Sequence, residues 1–254
     1  GMGRGLYEQH PVFRRAFDEV VGALDAHLST PLGPVVFAEA GSAGAALLDT
    51  TEYTQPALFA LEVAQYRLWE SFGVRPDFMM GHSLGELAAA HVAGVITLED
   101  AAKLVSARGR LMQACRSDGA MASLEATEGE VRKRMAPHAG EVDIAGLNGP
   151  RQTGISGTES AVMELMSQFE TMGRRATRLN VSHAFHSPHM DSMLEEMRAV
   201  SSTCKFHVPT IALISGVTGE RFRNRDLLSL GYWARQVRQG VRFLPAMQAL
   251  EAEG

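Results

Sequence analysis

Residues Asp77–Val95 read DFMMGHSLGELAAAHVAGV. A short apolar run, Phe78–Met80, leads into Gly81-His82-Ser83-Leu84-Gly85, and an alanine-rich segment from Leu84 to Ala93 follows. The run suits a short buried strand and the segment after it a helix. Strand, G-x-S-x-G turn and helix in that order can present a serine nucleophile on a sharp turn. Such a turn crowds the serine's backbone, so small flanking residues relieve clashes. The free N–H groups and dipole of the following helix favour negative charge beside Ser83, with the N–H of Leu84 as the natural oxyanion donor. The plain alternative is a loop that contains Gly and Ser for its turn alone.

The flanking segments predict an α/β chain. Residues 8–28 have helical spacing at Phe13, Phe17, Val20, Val21 and Leu24, with Pro11 in the first turn. A Gly/Ala/Ser loop is expected near 40–46. Thr54–Gly73 reads as a helix with Pro56 in its first turn, and Thr97 followed by Asp100 caps another. From about Ser117 to Leu179 the order is strand (AMASLEA), helix (EGEVRKRM), strand (VDIAGLNG), strand (QTGISG), helix (ESAVMELMSQFETMG), strand (RATRLNV). That β-α-β-β-α-β order predicts a ferredoxin-like α+β subdomain. It interrupts a hydrolase-like core whose central, mostly parallel sheet carries the serine turn. The expected division is 1–116 with 180–254 for the large part and 117–179 for the small one. A helix around His189–Val200, a strand at TIALISG and a closing helix complete the reading. Both ends read as cut from a longer polypeptide.

The chain has 254 residues, 45% hydrophobic and 21% charged, with a net charge of −5. The length allows a full core, and the negative balance speaks against a nucleic-acid surface. Cys115 and Cys204 form no framework, which fits a reducing, cytoplasmic setting. No apolar stretch reaches a membrane span, and no signal-peptide pattern is visible in the first residues given.

A serine hydroxyl needs a base. His10, His27, His138 and His207 lie in segments without other chemistry. His82 adjoins the serine on a turn whose neighbours point apart, which suggests a site wall. His91 reads as a core histidine on the following helix. NVSHAFHSPHMD instead places His183, His186 and His189 within seven residues. Their spacing is no familiar zinc pattern and no cysteine is near, so no metal is expected. A catalytic base in this cluster is the better reading, and spacing leaves open which histidine acts.

The ordered set GMG, TQPALFALE, GHSLGE, ARGRLMQ, AGLNGPRQTGISG, HAFHSPHMD, SGVTGE and YWARQVRQGVRF resembles the acyltransferase domain of modular type I polyketide synthases, related to malonyl-CoA:acyl carrier protein transacylases. The resemblance covers nearly the whole chain. It implies a Ser-His dyad of Ser83 and His186, and a carboxylate-binding arginine at Arg108. Without it Arg108 reads as a solvated arginine at a helix end. Gln55, His82 and Asn148 are similar to residues near the family's acyl pocket. The resemblance also implies a malonyl substrate, since HAFH (His183 to His186) and a branched aliphatic at Leu84 accompany malonyl in the family. Phe185 would fill the space that a branching methyl needs, which is worth ~1–3 kcal/mol of selectivity.

The implied reaction loads malonyl from malonyl-CoA through an acyl-serine onto the phosphopantetheine thiol of an acyl carrier protein. No cofactor is expected, and the implied neighbours are a ketosynthase and its linker. In the family the backbone carbonyls of a Ser215-Gly216-Val217 segment orient the histidine. A GQGxQ stretch ahead of GMG supplies a second oxyanion donor there and is not in this sequence, nor is a C-terminal strand with a Gly-Pro-Gly turn. An acidic carrier would want a basic surface, for which Arg174, Arg175, Arg178 and Arg132, Lys133, Arg134 are the candidates. A serine hydrolase shares the turn but wants an HGGG-type loop that the sequence lacks. A degenerate structural domain is the remaining alternative.

Overall fold

Thr50 starts the helix that organises the first part of the chain. The computed structural model describes residues 1–223 and 231–253. In it α1 spans Arg4–Gln9, α2 Pro11–Asp25, α3 Leu32–Val36, α4 Ala43–Leu48 and α5 Thr51–Ser71. α5 begins one turn earlier than the Pro56 signal suggests, so Pro56 lies inside it. A helical proline leaves the carbonyl four residues earlier without its N–H partner, here that of Glu52. The loop expected near 40–46 is partly α4, because the Ser42 hydroxyl accepts the Ala45 N–H at 3.2 Å and caps an alanine-rich turn.

The chain continues with β1 (Phe78–Met79), α6 (Gly85–Val92) and α7 (Leu98–Gln113), whose start is capped by Thr97 Oγ1 accepting the Asp100 N–H at 3.3 Å. α2, α5 and α7 pack together. Phe13, Leu24, Phe59, Ala60, Ala64, Leu104 and Val105 are all fully buried at the seams; a large apolar side chain so buried contributes about 1.5–3 kcal/mol.

The next elements are β2 (Gly119–Leu124), α8 (Glu128–Met135), β3 (Val142–Gly149), β4 (Gln152–Thr158), α9 (Glu159–Thr171) and β5 (Ala176–Arg178). They form an antiparallel sheet of order β3-β4-β2-β5, the ferredoxin-like arrangement that the element order predicts. Alternation on β2 sends Ala120, Ala122 and Leu124 into a core with Val131, Val162, Leu165 and Phe169 from the helices. Thr127 and Glu130 make a reciprocal capping box at the start of α8.

A 3-10 helix at Pro188–Met193 and then α10 (Leu194–Ser202) replace the single helix expected around 189–200, since Pro188 sits in the first turn and Ser187 caps it. β6 (Ala212–Leu213) pairs in parallel with β1, Phe78 opposite Ala212 and Met79 opposite Leu213. Among the described residues the parallel sheet is this one pair of short strands, less than the central sheet that the sequence suggests. Beyond Leu213 the chain turns back on itself, with Ser215 N–H donating to Glu220 O and Gly219 N–H to Ser215 O, both 2.8 Å. α11 (Tyr232–Arg238) and α12 (Phe243–Glu253) follow.

Residue contacts divide the chain into two units. Among the described residues, the first is 1–113, 199–213 and 222–223; the second is 114–198, 214–221 and 231–253. The second unit takes in more than residues 117–179, including the histidine loop and the turn at Ser215.

Candidate active site

Within the first unit, the turn after β1 is closed by Gly85 N–H donating to His82 O at 3.0 Å and Glu86 N–H to Ser83 O at 3.2 Å. Ser83 has φ 53, in the left-handed region. A side chain at Gly81 would collide with the backbone of Gly85 and Glu86, so glycine is obligatory there. Gly85 differs, because a Cβ there would meet the Glu62 carboxyl at an ordinary 3.6 Å. Leu84 is buried, and its N–H takes no hydrogen-bond partner among the described residues. His82 is exposed on the turn.

Arg108 is not solvated. It is 2% exposed on α7, donating through Nη2 to Ser83 Oγ at 2.9 Å and through Nη1 to Gln55 Oε1 at 2.5 Å. Gln55, on α5, turns its Nε2 toward Met112 Sδ at 3.0 Å, which fixes its carbonyl oxygen on the arginine. Arg108 Nε is buried without a hydrogen-bond partner among the described residues. A guanidinium edge with one such N–H is a receptor for an anionic oxygen. Burial lowers the Arg108 pKa to about 10, partly opposed by the nearby Glu86 carboxylate, so the side chain stays charged at neutral pH. Gly109 lets α7 approach α5 here, since a Cβ would lie 3.1 Å from both Thr51 O and Glu52 O.

The second unit carries the histidine loop. His183 is buried, with Nδ1 2.8 Å from Ser182 Oγ, and its ring lies 5.9 Å from that of Phe185. His186 is 4% exposed and has φ 57. Ser83 and His186 are the non-glycine residues with positive φ among those described. Such a state costs about 1–2 kcal/mol for a residue with a Cβ. His189 is buried, and desolvation lowers its pKa, as does the charge of Arg116. Asn148, on β3, has its Oδ1 close to Gly146, where a Cβ would lie 3.2 Å away. In the loop after β6, Ser215 Oγ accepts the Val217 and Thr218 N–H groups at 3.1 and 3.2 Å and meets Tyr232 Oη at 2.8 Å.

Some residues of this machinery carry weak signals in the sequence. Glu86 is an acid in the first turn of α6, yet it is buried and acts on Arg108. Met112 lies one helical turn after Arg108, a spacing shared with ordinary core residues. His91, expected in the core, is half-buried, with its Nδ1 3.1 Å from Ile96 O. Much of the expected basic surface is neutralised: Arg132 pairs with Glu128 at 2.7 Å, Arg174 with Glu130 at 3.0 Å and Arg178 with Glu159 at 2.6 Å. Arg175 instead lines a cavity of about 440 Å³ with Arg151, Gln152 and Thr177. Among the described residues, no group of three His, Cys, Asp or Glu side chains could hold a metal ion.

A serine on a left-handed turn with a buried guanidinium on its oxygen can carry acyl chemistry, and comparison with known proteins identifies the family. The chain belongs to the acyl transferase domain family, whose model matches residues 1–254, and it is an enzyme of that class. It is 53% identical over 255 residues to polyketide synthase GfsA of Streptomyces halstedii, covering 100% of this chain and 3% of that protein. Mycoketide-CoA synthase of Mycobacterium tuberculosis is 51% identical over 254 residues, covering 100% of this chain and 6% of that protein. The chain thus spans a small part of the curated relatives it matches. Among solved structures, the acyltransferase domain from the second module of the salinomycin polyketide synthase superposes with a TM-score of 0.93 at 47% identity, covering 100% of this chain and 58% of that one. Malonyl-CoA:acyl carrier protein transacylase from Xanthomonas oryzae gives 0.86 at 33% identity, covering 98% and 79%.

Proposed function

We propose that the chain loads a malonyl extender unit from malonyl-CoA onto the phosphopantetheine thiol of an acyl carrier protein, in the cytoplasm and beside the ketosynthase and linker of a polyketide synthase. In the first half-reaction His186 takes the proton of Ser83 Oγ as the oxygen bonds to the thioester carbonyl carbon. The Leu84 N–H donates to the oxyanion. Collapse breaks the C–S bond, the departing CoA sulfur takes the proton from His186, and CoA leaves as the thiol. In the second half-reaction the carrier thiol gives its proton to His186, its sulfur attacks the acyl-serine carbonyl, and Ser83 Oγ leaves and recovers a proton. Arg108 holds the malonyl carboxylate through both. Phe185 and His183 limit the space beside the acyl α-carbon, while Gln55, Asn148 and His82 complete the surroundings.

The observation that carries this reading is the buried Arg108, one N–H on Ser83 Oγ and another without a partner among the described residues. A donor that ends in a carboxylate supplies the missing acceptor; a neutral acyl group does not. The test is mass spectrometry of the chain after incubation with malonyl-CoA or methylmalonyl-CoA. The expected result is one malonyl group on Ser83, slower labelling by methylmalonyl-CoA, and transfer to a carrier thiol. Bulk hydrolysis with no acyl-serine and no transfer would indicate a hydrolase instead.

A further inference from the structure

The histidine loop contains a buried hydroxyl to which the reaction gives no part. Ser187 is 0% exposed and follows His186 directly. Its Oγ–H donates to Ala184 O at 2.6 Å, and its Oγ accepts the His189 N–H at 3.1 Å. The first bond spans His186 and closes a ring over the residue that has φ 57. The second anchors that ring to the 3-10 helix Pro188–Met193, whose Met190 N–H also donates to Ser187 O at 3.0 Å. The same turn is braced from β2, where a Cβ at Gly119 would lie 2.6 Å from Ala184 Cβ and 2.7 Å from His189 Cε1. Arg238 adds a brace through Nε to Asp191 Oδ1 at 2.6 Å.

We infer that Ser187 is a positioning residue whose hydroxyl keeps His186 in the left-handed state that presents its imidazole to the reaction. This rests on His186 being the base, as proposed above. A non-glycine residue leaves the left-handed region unless its surroundings hold it. The side-chain bond of Ser187 does this without requiring a backbone N–H at that point, and the next residue, Pro188, has none to give. Removing the hydroxyl leaves the Ala184 carbonyl and the His189 N–H short of their partner. The loop then regains those bonds by relaxing, and the imidazole moves with it.

A coupling experiment separates positioning from general stability. Ser187→Ala, His186→Ala and the double variant are compared in the full chain by rapid-quench measurement of malonyl-Ser83 formation, alongside thermal melts. The expected result is a 10- to 100-fold slower acylation for Ser187→Ala, with KM changed less than 2-fold. In the His186→Ala background the same change should slow acylation less than 2-fold further. Ser187→Cys, which keeps the shape and a weak donor, should lose only 3- to 10-fold and serves if the alanine variant does not fold. An equal loss in both backgrounds, or no loss in the parent, overturns the inference. A His186→Ala variant that acylates at the parent rate overturns the reading beneath it as well, and that control stands apart from any Ser187 result.

Discussion

Ser83 and Arg108 are joined directly, with the serine oxygen on the arginine's Nη2, and under the proposed reading they act together. Hydrogen bonds to a charged group are worth about 1.5–3 kcal/mol each. Losing a two-bond carboxylate contact should therefore cost on the order of 100-fold or more in kcat/KM. Arg108→Ala is expected to do this to malonyl-CoA while acetyl-CoA loading stays within about tenfold. Stopped-flow comparison of the two donors checks it, and equal losses would remove the assigned role. The strand, turn and helix around Ser83 were legible because their signal is local, within nineteen residues of sequence. The two flanking glycines look equivalent there, yet only Gly81 is sterically obligatory. Arg108 was not legible from its own segment, which reads as a solvated helix end. Its burial depends on Gln55, 53 positions earlier, and on a packing that no local pattern encodes. Ser187 was hidden for a different reason: a serine before a proline signals a cap, and its hold on the preceding residue is visible only in three dimensions.

At the scale of elements, the contact of α5 with α7 sets the arginine's place. Pro56 leaves a carbonyl of α5 without its helical partner, and Gly109 brings α7 close against that same carbonyl. The sequence marks both residues as punctuation, and here both lie inside helices that continue past them. α5 also carries Glu62 to the underside of the serine turn, where burial raises its pKa to about 7. A carboxyl whose pKa is higher folded than unfolded binds more protons in the native state, so stability falls as pH rises from about 4.5 to 7. At about 1.4 kcal/mol for each step of one in pKa, the loss is on the order of 3 kcal/mol above pH 7. Glu62→Gln is expected to remove that slope. It should melt higher than the parent at pH 8 and close to it at pH 5, in calorimetric scans across the range. Parallel pH dependence in both proteins would count against a protonated Glu62.

At the scale of the whole molecule, the sequence conveyed the ferredoxin-like order in full, because each element there has a clean period and a marked boundary. Of the parallel sheet, TIALISG contributes two strand residues among the described residues before the chain turns at Ser215. Ion pairing also reshapes the expected basic face. Arg151 and Arg175 make no ion pair among the described residues, whereas Arg132, Arg174 and Arg178 do. Arg151→Glu combined with Arg175→Glu should raise KM for the acyl carrier protein at least fivefold and leave Ser83 acylation by malonyl-CoA unchanged. Steady-state transfer set beside single-turnover acylation resolves the two steps, and an unchanged carrier KM would move docking elsewhere. The Arg108–Ser83 hydrogen bond has a wider consequence under the proposed reading. On that reading the nucleophile is tethered to the same group that reads the donor's charge. A carboxylate arriving on that guanidinium competes for the tether, so recognising the donor and arming the serine become one event; a donor without a carboxylate meets a serine that is still engaged.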